Sequence, residues 1–258
     1  MGHGIRGVID VDALRAKIKQ GDYVRIFDLP DWSPPGVAEN DVPDYLLRFA
    51  NRRMIEAPGK LPEEIAGDRT LNDSLDAKFG SCIPAGYTYF GQFVDHDITF
   101  DPSPLSMRRG DENELRNFRT SRLDLDSVYG RGPADQPYLY ARDATDSFLI
   151  GRVPDSKLRD LPRNDEGRAL IGDMRNDANA IVSQLHLAFL LAHNALVVRA
   201  RAARDPDPFE SARRTLRRLY QYIVWHDFLG RATEAAMHAR ALQLVSDAAG
   251  GSWQRGLA

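Results

Sequence analysis

The chain has 258 residues, 43% apolar and 28% charged, with a formal net charge of −3. That length suits one large domain or two small ones with a sizeable core, and the charge gives no reason to expect nucleic acid or an anionic membrane as a partner. Cys82 is the single cysteine, which excludes an intrachain disulfide and fits a reducing compartment.

The first sixty residues are mixed. Val11–Lys19 reads as a short helix, whereas Asp28–Gly36 and Ala57–Pro62 are rich in chain breakers and read as irregular. No long apolar run follows a basic start within Met1–Asp28, so no secretory signal peptide is expected. That leaves a cytoplasmic protein or one exported by an unrecognised route. Residues 1–60 are expected to form a long irregular segment wrapping a helical domain over 61–230.

Tyr87–Ile98 reads as the first strong helix, and the prolines of Asp101-Pro-Ser-Pro104 end it. Residues 108–132 read as loop, with Asp and Ser side chains free to act as ligands. Two further helices are expected at about Asp177–Ala203 and Pro208–Leu229, Pro208 being well placed in an opening turn. The apolar region Ala180–Val198 is broken by Ser183, Gln184, His186, His193 and Asn194, so it reads as a buried helix and no transmembrane helix is expected. Strand-like alternation is scarce, so the fold class is mainly α.

Phe90-Gly-Gln-Phe-Val-Asp-His-Asp-Ile-Thr-Phe-Asp101 carries the most chemistry. On a helix Gln92 and His96 share a face, and Asp95 lies about 100° round from His96. The surrounding Phe, Val and Ile residues would take these polar groups into a dry interior, where each needs a partner. Downstream, Gly172-Asp-Met-Arg-Asn-Asp-Ala-Asn179 is followed by His186 and by His193-Asn194. Between the two lies Thr120-Ser-Arg-Leu-Asp-Leu-Asp-Ser-Val-Tyr-Gly130.

These three motifs, which follow one another along roughly Asn51–Arg231 in the order that the family has them, resemble the animal-type haem peroxidases. The first is similar to the helix that faces the haem iron, the second to the context of the catalytic arginine, and the third to the calcium loop. The resemblance implies haem b and calcium as cofactors, hydrogen peroxide as oxidant, and an electron donor that the residues do not identify. It implies His96 as the acid–base that moves a proton between the two peroxide oxygens, a task suited to an imidazole. Arg175 would stabilise the charge on the departing oxygen, and Gln92 would position peroxide, water or a small anion. With Asp95 these residues would line the haem. Asp95 corresponds to a carboxylate that forms a haem ester in many relatives, whereas Ala178 stands where a second ester normally comes from a glutamate.

Asp97, Thr120, Arg122, Asp124 and Asp126 would be the calcium ligands, Arg122 through its main-chain carbonyl. Calcium takes six to eight oxygens, which such a loop can offer; a hydrated acidic turn is the plainer alternative. His186 and His193 are expected to pack inside the bundle, bonded to backbone or carboxylate. Asp124-Leu-Asp126 also matches the acidic pair of nucleotide-sugar transferases, but no strand-rich nucleotide fold surrounds it.

The resemblance stops near Gly230. The family's axial histidine belongs to a later region, and residues 231–258, an unmatched tail, contain only His238. The expected architecture is therefore a peroxidase-like helical fold with its C-terminal part missing and the axial iron ligand unassigned. Haem is expected to bind weakly or through an improvised ligand such as His226 or His238, leaving the chain alone a poor or inactive peroxidase, and an open pocket would expose apolar residues such as Phe93, favouring a partner chain or self-association. The alternative function is a non-catalytic calcium- or partner-binding fragment.

Overall fold

The computed structural model describes residues 36–53, 80, 83–102 and 116–248. The expected Val11–Lys19 helix and the irregular stretches 28–35 and 57–62 lie outside them. Within 1–60, residues 42–53 depart from the irregular reading. A 3-10 turn at Glu39–Asp41 leads into α1, Val42–Arg53. This stretch has no breaker beyond Pro43, which sits in the opening turn where its missing N–H costs nothing. α1 belongs to a compact unit of its own.

The second unit holds every other described element from Pro84 onward. Its helices are α2 (Gly86–Ile98), the single turn α3 (Asp126–Tyr129), α4 (Ala180–Ala202), α5 (Pro208–Ile223), α6 (Leu229–Ala232) and α7 (Ala235–Ala248). The expected mainly helical fold is what is found. Apart from an isolated antiparallel bridge between Arg163 and Ala169, the strands among the described residues form two short antiparallel hairpins. β1 (Tyr140–Ala141) pairs with β2 (Ala144–Phe148), and β3 (Gly151–Arg152) pairs with β4 (Arg159–Asp160). Asn194 on α4 holds β2 in place, its amide bonding both the N–H and the carbonyl of Phe148 at 2.7 and 2.9 Å.

α4 is the central element. It packs most extensively on α5 and also on α2 and β2. Its 23 residues are long and apolar enough to cross a membrane by composition, and here they bury Val182, Leu187, Phe189, Leu190 and Val197. The helix starts three residues later than the sequence pattern suggested. Asn179 is the reason, because its side-chain oxygen accepts from the N–H groups of Ile181 and Val182 and so caps the first turn. The preceding Met174–Asp177 forms a separate 3-10 turn, itself capped by Asp173. α5 begins at Pro208 as expected, but ends six residues early. The chain widens into a π turn at Val224–Phe228 before α6.

Phe93 corrects one expectation. It is fully buried, stacked on Phe189 with ring centroids 4.8 Å apart and edge-on to Tyr220. A one-residue step turns a helix by about 100°, so Phe93 points away from Gln92 and joins Phe90 and Val94 against α4 and α5. This chain covers Phe93 unaided.

Candidate functional site

α2 and the 3-10 turn at Met174–Asp177 bring the two expected motifs together. His96 is 7% exposed and its Nδ1 lies 2.8 Å from the Asn176 Oδ1. Among the described residues nothing bonds its Nε2. One turn earlier, Gln92 accepts at Oε1 from the Asn179 Nδ2 at 3.2 Å. Asp95, on the neighbouring edge of the helix, is exposed and accepts from the Thr99 hydroxyl at 3.1 Å. Gln92, Asp95 and His96 thus occupy one side of α2, with Phe93 on the other.

Arg175 is brought to the same helix but through its backbone. Its Nη2 donates to the carbonyls of His96 and Thr99 at 2.9 and 2.6 Å, and also to Asp173. The guanidinium therefore caps the last turn of α2, where unpaired carbonyls favour a cation. Asp173 is 3% exposed, and its carboxylate receives Arg175 and Arg119 together. Burial alone would raise its pKa, but these donors overcome that and hold it below the usual carboxylate range. Both guanidinium groups lie over the Phe100 ring, at 5.3 Å for Arg119 and 4.8 Å for Arg175. Asp177, the other local partner that the sequence offers Arg175, pairs instead with Arg163.

The acidic loop closes on the far side of α2. One carboxylate oxygen from each of Asp97, Asp124 and Asp126 lies within 4.8 Å of the other two. Asp97 is fully buried and accepts from the Leu125 and Ser127 N–H groups and from the Ser127 hydroxyl. Desolvation raises its pKa. Burial, reinforced by Asp97 and Asp124, pushes Asp126 up to about 7 despite Arg119 at 3.6 Å. The Oδ1 atoms of Asp124 and Asp126 are buried without a hydrogen-bond partner, and Leu123 and Leu125 hold left-handed backbone with φ of 54° and 62°. Thr120 donates its hydroxyl to Asp124, and the Arg122 carbonyl accepts from Gln221 on α5. Gly172 lets the Asp173 segment lie close to this loop, since a Cβ there would sit 2.6 Å from the Ser127 carbonyl oxygen.

The other histidines are committed to the scaffold in different ways. His193 is buried, with Nε2 on the Asp146 carbonyl and Nδ1 on the Tyr129 hydroxyl. His186 is also buried but bonds the Asn176 amide nitrogen at 3.0 Å, neither backbone nor carboxylate. His226 lies against Tyr222, with centroids 4.4 Å apart and the rings tilted by 32°. His238 is not a solvated side chain, because its Nε2 lies 2.6 Å from the Trp225 carbonyl.

Burial lowers the His186 pKa from 6.5 to about 4. Its neutral form is favoured by folding, so the stabilisation is complete above pH 6.5 and is lost as pH falls through 6.5 towards 4. The gap corresponds to on the order of 3 kcal/mol. The His186 contribution is read as the difference in denaturant midpoint between wild type and His186→Gln, which is expected to move against wild type from pH 7 to pH 4.5; Asp126, raised to about 7, acts in the opposite sense over that window in both proteins.

Asn176 and Asn179 are the residues the sequence reading passed over. Both lie inside the arginine motif, and only their contacts with His96 and Gln92 reveal what they do. No curated protein matches the chain at a significant level. The family model for animal haem peroxidases matches residues 105–251. That span includes the acidic loop, the Asp173–Asn179 turn, α4 and α5, whereas α2 lies just before it. The match supports a peroxidase-type oxidoreductase function and implies haem, hydrogen peroxide and a donor substrate. Because the matched residues make up more than half of the 258, this chain belongs to the animal haem peroxidase family.

Proposed function

We propose that the chain reduces hydrogen peroxide at bound haem while oxidising a donor, with His96 as the acid–base. The supporting observation is the state of the His96 imidazole. Its Nδ1 is engaged by Asn176, its ring is almost fully buried, and its Nε2 has no partner among the described residues. A buried imidazole with one nitrogen fixed and the other open suits proton transfer to a bound small molecule. The donor set suits haem, for the exposed Asp95 carboxylate and the Gln92 amide stand on the same side of α2 as His96. When bound, haem would supply the redox centre for peroxide reduction. Nε2 of His96 would take a proton from one peroxide oxygen and deliver it to the other as it leaves. The Gln92 amide, its oxygen held by Asn179, keeps its N–H groups to orient peroxide or water. Arg175 secures the end of α2 and contributes a fixed positive charge there. Asp95 is the one position in this motif able to form a haem ester, since Ala178 carries no carboxylate.

We also propose calcium at Asp97, Asp124 and Asp126, with Thr120 and the Arg122 carbonyl completing the shell after modest rearrangement. Three converging carboxylates, with the buried Asp124 Oδ1 lacking a hydrogen-bond partner and the Asp126 Oδ1 reached only by Arg119 at 3.6 Å, are costly unless a further cation compensates them. Asp97 adjoins His96, so an ion there would hold the helix that carries the base.

Haem titration of the calcium-loaded full chain, followed by peroxide turnover with a phenolic donor, tests the reading. Soret absorption with turnover that requires His96 is expected. Calcium-dependent stability with no haem uptake would overturn it in favour of a non-catalytic calcium-binding protein.

A further inference from the structure

We infer that Asn176 and His186 set the tautomer of His96, which makes His186 a positioning residue for the base although it lies in the core on α4. The inference rests on the reading of His96 as the acid–base. Three buried side chains form a line, with His96 Nδ1 at 2.8 Å from Asn176 Oδ1 and Asn176 Nδ2 at 3.0 Å from His186 Nδ1. An amide is asymmetric: its oxygen only accepts and its NH2 only donates. The His96 nitrogen facing the oxygen must therefore carry a proton, and the His186 nitrogen facing the NH2 must be bare. Each neutral imidazole has one proton, so His96 is left with a basic Nε2 and His186 with its proton on Nε2.

The two tautomers are locked together. Turning the Asn176 amide over would require a bare Nδ1 on His96 and a proton on Nδ1 of His186. The His96 Nε2 would then be an N–H donor, unable to accept a proton from peroxide. Asn176 is fully buried, so neither end of the amide can substitute water for its partner. His186 packs edge-on to Phe93 and has no hydrogen-bond partner for Nε2, so its link to the base runs through Asn176. Burial keeps it neutral, which leaves Nδ1 able to accept. The nearest charges acting on it, Asp173 and Asp177, are each paired with arginine.

The test is the proton position on each ring, read from two-bond 1H–15N correlation spectra of the histidine-labelled full chain with calcium at neutral pH. Signals are assigned by their loss in His96→Gln and His186→Gln. Wild type is expected to show His96 protonated at Nδ1 and His186 at Nε2; the reverse pair would overturn the inference. His186→Leu keeps the bulk but removes the acceptor. It should leave His96 in mixed tautomers and slow peroxide cleavage by roughly tenfold, the population factor of one lost hydrogen bond. His186→Gln returns an acceptor oxygen and should restore both the tautomer and the rate. An unchanged His96 pattern in a folded His186→Leu protein would also overturn it. Should that variant not fold, the wild-type and His186→Gln spectra still decide. The expected tautomers in a chain whose peroxide cleavage ignores His96 would uphold the positioning and remove the base assignment.

Discussion

Replacing His96 with alanine is expected to slow peroxide cleavage by the haem-loaded chain by roughly 10²-fold or more. The substitution removes the imidazole whose Nδ1 is held by Asn176 and whose Nε2 has no hydrogen-bond partner among the described residues. It also strands the Asn176 Oδ1, now without its 2.8 Å donor, so a modest loss of stability should accompany the loss of rate. The two effects separate in His96→Gln, whose amide can still donate to Asn176 but is no base. Stopped-flow measurement of peroxide consumption at saturating haem is the readout. A rate in both variants equal to wild type would mean that another group moves the proton.

Calcium removal is expected to produce the largest change in stability. At a calcium concentration about 100 times the dissociation constant, a site present only in the folded state contributes about 2.7 kcal/mol. For a domain of this size that is a melting shift of roughly 5–10 °C. The shift should be lost on chelation, and it should be absent in Asp124→Ala whether or not calcium is present. Asp124 is the informative choice because its Oδ1 is buried without a hydrogen-bond partner, and its other oxygen holds the Thr120 hydroxyl. Equal melting temperatures with calcium and with chelator in wild type would identify the loop as an acidic turn. The loop is also tied to the arginine site, because Arg119 spans from Asp126 to Asp173, and Asp173 binds Arg175. Chelation should therefore weaken peroxide turnover as well.

The helices that matter were legible in the residues themselves. α2 could be drawn almost to the residue, because Phe90, Phe93, Val94 and Ile98 mark its apolar positions and Pro102 and Pro104 forbid continuation. Pro208 announced the start of α5 in the same way. The motifs that pointed to the family were equally local, since the spacing of Gln92, Asp95 and His96, and of Arg175, His186 and His193, is a property of the chain alone. The expectation that His186 and His193 pack inside also held: both are buried, while the opposite side of the same helix exposes Ile181, Gln184, Ala188 and Val198.

What the pattern could not convey is partnership, because hydrogen bonds join residues far apart in the chain. Arg175 reads as a cation for the site, yet the fold spends one of its nitrogens on the carbonyls of His96 and Thr99, 79 and 76 residues away. Phe93 reads as a residue awaiting cover, yet Phe189 and Tyr220 already supply it. The start of α4 was misplaced because a cap is a matter of backbone geometry, and Asn179 adopts it where Asp177 does not. Asn176 shows the limit most plainly. In the sequence it is one polar residue in a polar turn, and only the packing of α2 against α4 brings His96 and His186 to opposite ends of its amide.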